Sequence, residues 1–137
     1  MDQLVLDASV VAKLFLKEEW SGKAIGLKDR HVKNEIEIVA PSLLKYELMS
    51  ALRSKGYSKN EIKDALEAIR DYGFSVIDPE DTVFDDAAEF MASYNVSSYD
   101  ASYIALAKDL ETHMCTADQN LLDKVPKLKF VKHLKEF

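Results

Sequence analysis

Four acids in this chain sit where an acid rarely serves solubility alone: Asp7, Glu47, Asp100 and Asp118. Asp7 directly follows the apolar run Leu4-Val5-Leu6, and Asp118 follows a second short run, His113 to Thr116, by two residues. Glu47 falls inside an apolar helical stripe of Leu44, Leu48, Ala51 and Leu52. Asp100 shares a helical face with Tyr103, Ile104 and Ala107, three or four positions apart. An unpaired buried carboxylate is costly, so such acids usually have a positive partner. A divalent cation is one such partner. Mg²⁺ and Mn²⁺ prefer oxygen ligands and keep several waters, whereas zinc more often takes His or Cys. Several carboxylates with no His or Cys beside them fit the former chemistry. Taken singly, each acid also has an ordinary role. Asp7 and Asp118 are suitable helix caps, Asp100 is favoured by the dipole in a first helical turn, and Glu47 suits a half-exposed position or a pair with Lys or Arg.

The elements that must position these acids alternate between strand and helix. Strands are expected at Gln3 to Leu6, Ile36 to Val39, Phe74 to Ile77, His113 to Thr116 and, shorter, Lys129 to Lys132. Helices are expected at Ser9 to Leu16, Trp20 to Lys33, Pro41 to Lys55, Ser58 to Tyr72, Thr82 to Tyr94, Ser98 to Leu110 and Asn120 to Lys124. Pro41 suits a helix start because its missing N–H is not needed there. Ser58 with Glu61 forms a capping box, and Gly56 and Gly73 stop helices. On the helix from Thr82, the residues Val83, Phe84, Ala87, Phe90 and Met91 make the apolar side. Strands separated by helices imply a parallel sheet of four to five strands with helices on both faces. In that topology each strand's carboxyl end shares a rim with the amino end of the next helix, and ligand chemistry gathers there. Asp7, Asp100 and Asp118 all fall on that rim. Glu47 lies about 9 Å along its helix at ~1.5 Å per residue, within reach if that helix leans over.

The chain has 137 residues and no linker, repeat or low-complexity tract, so a single domain over residues 1–137 is expected. With 47% hydrophobic residues it can build a core without disulfides, and its one cysteine, Cys115, cannot form an internal one. Cys115 lies in an expected strand and suits packing. The start lacks a signal-peptide pattern, and no apolar stretch approaches the ~20 residues of a membrane span. A soluble cytoplasmic protein is therefore expected. The net charge of −6 argues on its face against a nucleic-acid ligand, although four metal-binding acids would account for four of those charges. Basic residues do cluster, at Lys45, Arg53, Lys55, Lys59 and Lys63 and again at Lys124, Lys127, Lys129, Lys132 and Lys135. Most of these suit an ordinary solvated face; either group could meet phosphates. Tyr46, Tyr99 and Tyr103 lie near the acids in sequence and suit packing first and base stacking second. His31, His113 and His133 are scattered and receive no catalytic role.

The segments Leu4-Val5-Leu6-Asp7-Ala8-Ser9, Pro41-Ser-Leu-Leu-Lys-Tyr-Glu47-Leu-Met-Ser-Ala-Leu52, Tyr99-Asp100-Ala-Ser-Tyr-Ile-Ala-Leu-Ala107 and Thr116-Ala-Asp118-Gln-Asn-Leu121 together resemble the PIN-domain ribonucleases, nearest to the VapC-type toxins of VapBC toxin–antitoxin pairs. The resemblance runs through the whole chain in order. It implies a three-layer α/β/α PIN-like fold. It implies an acidic quartet of Asp7, Glu47, Asp100 and Asp118 that holds Mg²⁺ or Mn²⁺ and is catalytic, with Ser9 and Thr116 as polar helpers. The implied reaction is hydrolysis of an RNA phosphodiester by metal-activated water, leaving a 5′-phosphate and a 3′-hydroxyl. Single-stranded or looped RNA is the expected substrate, since loops expose bases and backbone. The resemblance also implies a homodimer and a VapB-type antitoxin partner, and the amphipathic helix pair from Pro41 to Tyr72 offers a surface for them.

Other functions fit less well. A housekeeping PIN nuclease of RNA processing would carry the same quartet, and so would a non-catalytic interaction module that keeps the acids as a structural metal site. A haloacid-dehalogenase-type phosphatase needs an acid two residues after its nucleophile, where this chain has Ser9. A receiver domain needs an acid pair and a late lysine that are not found, and no Gly-rich P-loop is present.

Overall fold

A computed structural model describes residues 2–137. In chain order, β1 (Asp2–Leu6) leads into a single helical turn, α1 (Ala8–Val11), which tightens into a 3₁₀ turn at Ala12–Leu14. There follow α2 (Ser21–Val32), β2 (Ile36–Pro41), α3 (Leu43–Ser54), α4 (Lys59–Tyr72), β3 (Ser75–Ile77), α5 (Asp81–Tyr94), α6 (Ser98–Asp109), β4 (His113–Thr116), α7 (Gln119–Lys124) and β5 (Val131–His133). The five strands form one sheet in the order β3-β2-β1-β4-β5, and every pair is parallel. Helices flank the sheet in three layers. Right-handed crossovers send the β1-to-β3 connections over one face and the β3-to-β5 connections over the other. The packing agrees with this: α1 lies on α3, α2 on α4, and α5 on α6. Among the described residues no helix is long and apolar enough to cross a membrane.

β1 is the middle strand, which explains its unbroken apolar run. Leu4, Val5 and Leu6 are buried, in register with Ile38 and Val39 on one side and His113 to Cys115 on the other. The chain steps outward from β1 to β2 and β3, then returns to lay β4 against the opposite edge of β1. The gap between the carboxyl ends of β1 and β4 is therefore the topological switch point, where open parallel sheets form a crevice.

α6 is the central helix. Ala101 to Ala107 are seven consecutive buried residues, because the helix lies across β1, β2 and β4 and is covered outside by α5. Its small side chains permit that close approach. On α5, Val83 and Ala87 are buried while Phe84 and Met91 are exposed, so its apolar side is narrower than the sequence pattern implies. Pro41 also departs from expectation. It closes β2 rather than opening α3, paired in register with Ile77, and the Ser42 N–H donates to Ile77 O at 2.9 Å. A strand end tolerates proline as well as a helix start does, and β3 supplies an edge partner that the local sequence does not reveal. The capping box forms as expected: Ser58 Oγ accepts from Glu61 N (3.2 Å), and Glu61 Oε1 accepts from Ser58 N (3.0 Å).

Candidate active site

Asp7 is the first residue beyond β1, and its N–H donates to Cys115 O (3.3 Å), which ties it to the end of β4. Its side chain is 4% exposed and serves two neighbours at once. Oδ1 accepts from Val10 N (3.3 Å), capping α1, and from Ser9 Oγ (2.5 Å). Oδ2 accepts from Thr116 Oγ1 (2.5 Å). The two hydroxyls in turn hold the segment after β4: Ser9 Oγ accepts from Ala117 N (2.9 Å) and Thr116 Oγ1 from Asp118 N (3.1 Å). One small network therefore laces the ends of β1 and β4 together across the switch point. Burial pushes the Asp7 carboxyl up to about 6, against the opposing pull of the Ser9, Thr116 and Val10 hydrogen bonds, and the Asp100 charge adds to the rise.

The other three acids come from separate elements. Asp118 precedes α7 and caps it, its Oδ1 accepting from Leu121 N at 3.3 Å. Asp100 lies in the first turn of α6, below the Ser97 cap whose Oγ accepts from Asp100 N (3.1 Å). Burial and then the Asp118 charge raise its carboxyl, while the Ser97 hydroxyl and Lys124 lower it. Glu47, in the second turn of α3, is half-buried; burial raises its carboxyl against the pull of the neighbouring Tyr103 hydroxyl, and the Asp100 charge adds to the rise. At the start of α3, Leu43 lines a depression with Tyr99 and Ser102 of α6. The electrostatic pattern places Asp100 at the centre: its charge is felt by Asp7 and Glu47, and it feels Asp118.

The structure thus brings Asp7, Glu47, Asp100 and Asp118 to one rim, with Ser9 and Thr116 between the first and last. The donor set suits a hard divalent cation, since it is all carboxylate and hydroxyl oxygen. Glu47 fits that reading further, since no Lys, Arg or His pairs with it among the described residues. The acids are neighbours rather than a closed cage: among the described residues no three His, Cys, Asp or Glu side chains form a ready-made ligand cluster. Beside them runs a cleft of about 380 Å³, lined by Ser9, Lys13, Glu47, Lys55 and Ala117 among others. Lys13 is buried there and paired with Glu18 at 3.2 Å.

Two residues named in the sequence for other roles lie at the site. Lys124, grouped with the tail lysines, lies close enough to Asp100 to lower its pKa, and its Nζ donates to Asn95 O (3.1 Å). Its place in the last turn of α7, six residues past Asp118, is the only signal for this. Tyr103 is buried as packing requires, yet its hydroxyl faces the acids; its spacing of three from Asp100 is the signal. Tyr46 and Tyr99, by contrast, are exposed at 74% and 59%, so packing does not account for them. The histidines are structural where buried. His31 Nδ1 accepts from Ile38 N (3.0 Å), and its Nε2 bonds Tyr72 O (3.0 Å). Cys115 is buried in β4, and burial pushes its thiol up.

An open parallel α/β domain with carboxylates from four segments at its switch point defines the class. A PIN-domain family model matches residues 4–128, and the chain belongs to that family. Among curated relatives, Ribonuclease VapC3 of Pyrobaculum aerophilum is 30% identical over 131 residues, spanning 92% of this chain and 97% of that protein. Two solved structures share the fold at low identity. VapC20 of Mycobacterium tuberculosis, a toxin described as cleaving the sarcin–ricin loop, superposes with a TM-score of 0.69 at 14% identity, covering 88% of this chain and 93% of that one. VapBC2 of Rickettsia felis, bound to a DNA fragment from its promoter, gives a TM-score of 0.72 at 14% identity, covering 96% and 98%.

Proposed function

We propose that the chain, as one PIN domain over residues 1–137, is a metal-dependent endoribonuclease and the toxin of a type II toxin–antitoxin pair. The observation that carries this reading is the meeting of four carboxylates from distant segments at the β1–β4 switch point, with Asp100 central. The name and extent of the Pyrobaculum relative support the substrate class. Asp7, Glu47, Asp100 and Asp118 would hold Mg²⁺ or Mn²⁺, which in such a site supplies activation of water and neutralisation of phosphoryl charge. The chain's own residues do the positioning. Ser9 and Thr116 fix both oxygens of Asp7, so that this carboxylate presents one orientation. Burial on the sheet side excludes bulk water from that half of the site. Lys55 at the cleft edge suits a substrate phosphate. Tyr46 and Tyr99, exposed one position before Glu47 in α3 and before Asp100 in α6, suit stacking on unpaired bases. Hydrolysis would leave a 5′-phosphate and a 3′-hydroxyl. An antitoxin of the VapB type is the partner this reading names, and self-association into a homodimer would use the α3–α4 pair, where Met49 is exposed.

The test is cleavage of RNA by purified protein with Mn²⁺ or Mg²⁺, stopped by EDTA. Asp100→Asn should lower the rate at least about 100-fold, or ~2.7 kcal/mol of barrier, with an unchanged circular-dichroism spectrum. Cleavage by that variant at the wild-type rate would falsify the assignment. Mapping RNA ends after expression in cells identifies the substrate.

A further inference from the structure

Among the described residues, two buried side-chain atoms lack any hydrogen-bond partner: Tyr103 Oη and Glu47 Oε1. An unpaired buried polar atom costs about 1–3 kcal/mol, so two at one place call for a reason. Chance packing is a poor one. Tyr103 is 1% exposed, and a phenylalanine would fill the same volume without stranding a hydroxyl. Nor are the two atoms unrelated. Tyr103 lies one helical turn beyond Asp100 on α6, and its hydroxyl is within the influence of Glu47, Asp7 and Asp100. The phenol and the Glu47 carboxylate act on each other directly, yet the bond between them is not completed. A tyrosine phenol is protonated at neutral pH, so it is a donor beside an acceptor that has no partner.

We infer that Tyr103 is a positioning residue whose hydroxyl donates to Glu47 Oε1 when the other Glu47 oxygen engages the divalent cation. This rests on the metal-dependent reading above. An outer hydrogen bond of this kind fixes the direction of a ligating carboxylate, and its loss typically weakens metal binding. It also gives the two unpaired atoms of the site a purpose, since one bond between them satisfies both. Tyr103 does not touch substrate and is not a catalytic residue.

The test is a Mn²⁺ titration by calorimetry on the full chain for wild type, Tyr103→Phe, Glu47→Ala and the double variant. Tyr103→Phe should weaken Mn²⁺ binding about 10- to 100-fold. In the Glu47→Ala background the same change should alter binding less than about twofold, the usual error of additivity. Without metal, Tyr103→Phe should unfold at or above the wild-type temperature, because it removes an unpaired hydroxyl. Equal Mn²⁺ affinity of wild type and Tyr103→Phe overturns the inference. So does a loss that persists undiminished in Glu47→Ala, or a Tyr103→Phe chain that fails to fold without metal. A wild-type chain that neither binds Mn²⁺ nor cuts RNA removes the parent reading instead, so the two failures are distinguishable.

Discussion

Replacing Asp7 by asparagine should make the metal-free protein more stable at neutral pH. The Asp7 carboxyl is raised from the ordinary 3.8 to about 6, with burial as the largest cause. Between those values the folded chain keeps a proton at Asp7 that the unfolded chain has released. Stability therefore falls as pH rises through that window and stays reduced above about 6. At ~1.4 kcal/mol per tenfold, the displacement corresponds to roughly 3 kcal/mol. Asparagine is neutral throughout. Its oxygen can still accept from Val10 N and Ser9 Oγ, and its amide can donate to Thr116 Oγ1, whose own proton is free to turn toward Ser9 Oγ at 3.4 Å. Neutral hydrogen bonds are weaker than charge-assisted ones, which offsets part of the gain. The expected stabilisation is about 1–3 kcal/mol at pH 7.5, or roughly 3–5 °C of melting temperature per kcal/mol for a chain of this size. At pH 4.5, where folded wild type is largely protonated, the gain should shrink by about 2 kcal/mol. Urea unfolding of both proteins in EDTA at the two pH values measures it. A variant less stable than wild type at pH 7.5, or a gain that does not change with pH, refutes the reasoning.

Thr116→Val keeps the shape of a fully buried side chain but removes the donor to Asp7 Oδ2 and the acceptor for Asp118 N. A loss of about 2–4 kcal/mol is expected at pH 7.5, smaller at pH 4.5 where Asp7 carries its proton, read by the same urea titrations. Ser58→Ala breaks the capping box at the start of α4 and should cost about 1 kcal/mol while leaving RNA cleavage at the wild-type rate, since α4 carries none of the four acids.

The strands and helix ends that are legible in the sequence are those whose signals are local. Leu4-Val5-Leu6 reads as a buried strand because both of its faces are covered, and Ser58 with Glu61 reads as a cap because its bonds close within three residues. Pro41 is misplaced because its partner, Ile77, is 36 positions away in another strand. For Asp100 the informative signal is its place in the first turn of its helix and not the apolar face it shares. Tyr103, Ile104 and Ala107 are buried, but so is every other residue from Ala101 to Ala107, so α6 has no polar face there to contrast with. What brings Asp100 to the site is its place in the first turn, at the end of the helix that meets the crevice. The Ser9–Asp7–Thr116 network is invisible locally for the same reason as the Pro41 pairing, since Asp7 and Thr116 are 109 residues apart. Strand topology places both at the switch point, but only the folded geometry shows that they bond.

Burial without an ion pair sets the quartet apart from the chain's other acids, most of which are exposed. Glu18 pairs with Lys13, Asp29 with Lys28, Glu35 with Arg30 and Asp86 with Lys108, all within 3.4 Å. No acid of the quartet has such a partner among the described residues, although three of the four are raised by burial and by one another's charge. Asp7 and Asp118 do cap helices, so part of their placement serves the fold. Capping does not account for Asp100, whose own cap is Ser97, nor for Glu47, which stands inside α3. A fold selected only for stability would pair or neutralise these two, because like charges gathered in a half-buried site cost free energy with no return. Their retention beside Asp7 and Asp118 is explained if the missing positive charge arrives from solution. The sign of the response follows: a divalent cation should stabilise the folded chain most at the pH values where Asp7, Glu47 and Asp100 are forced to be ionised, and least where they are already protonated.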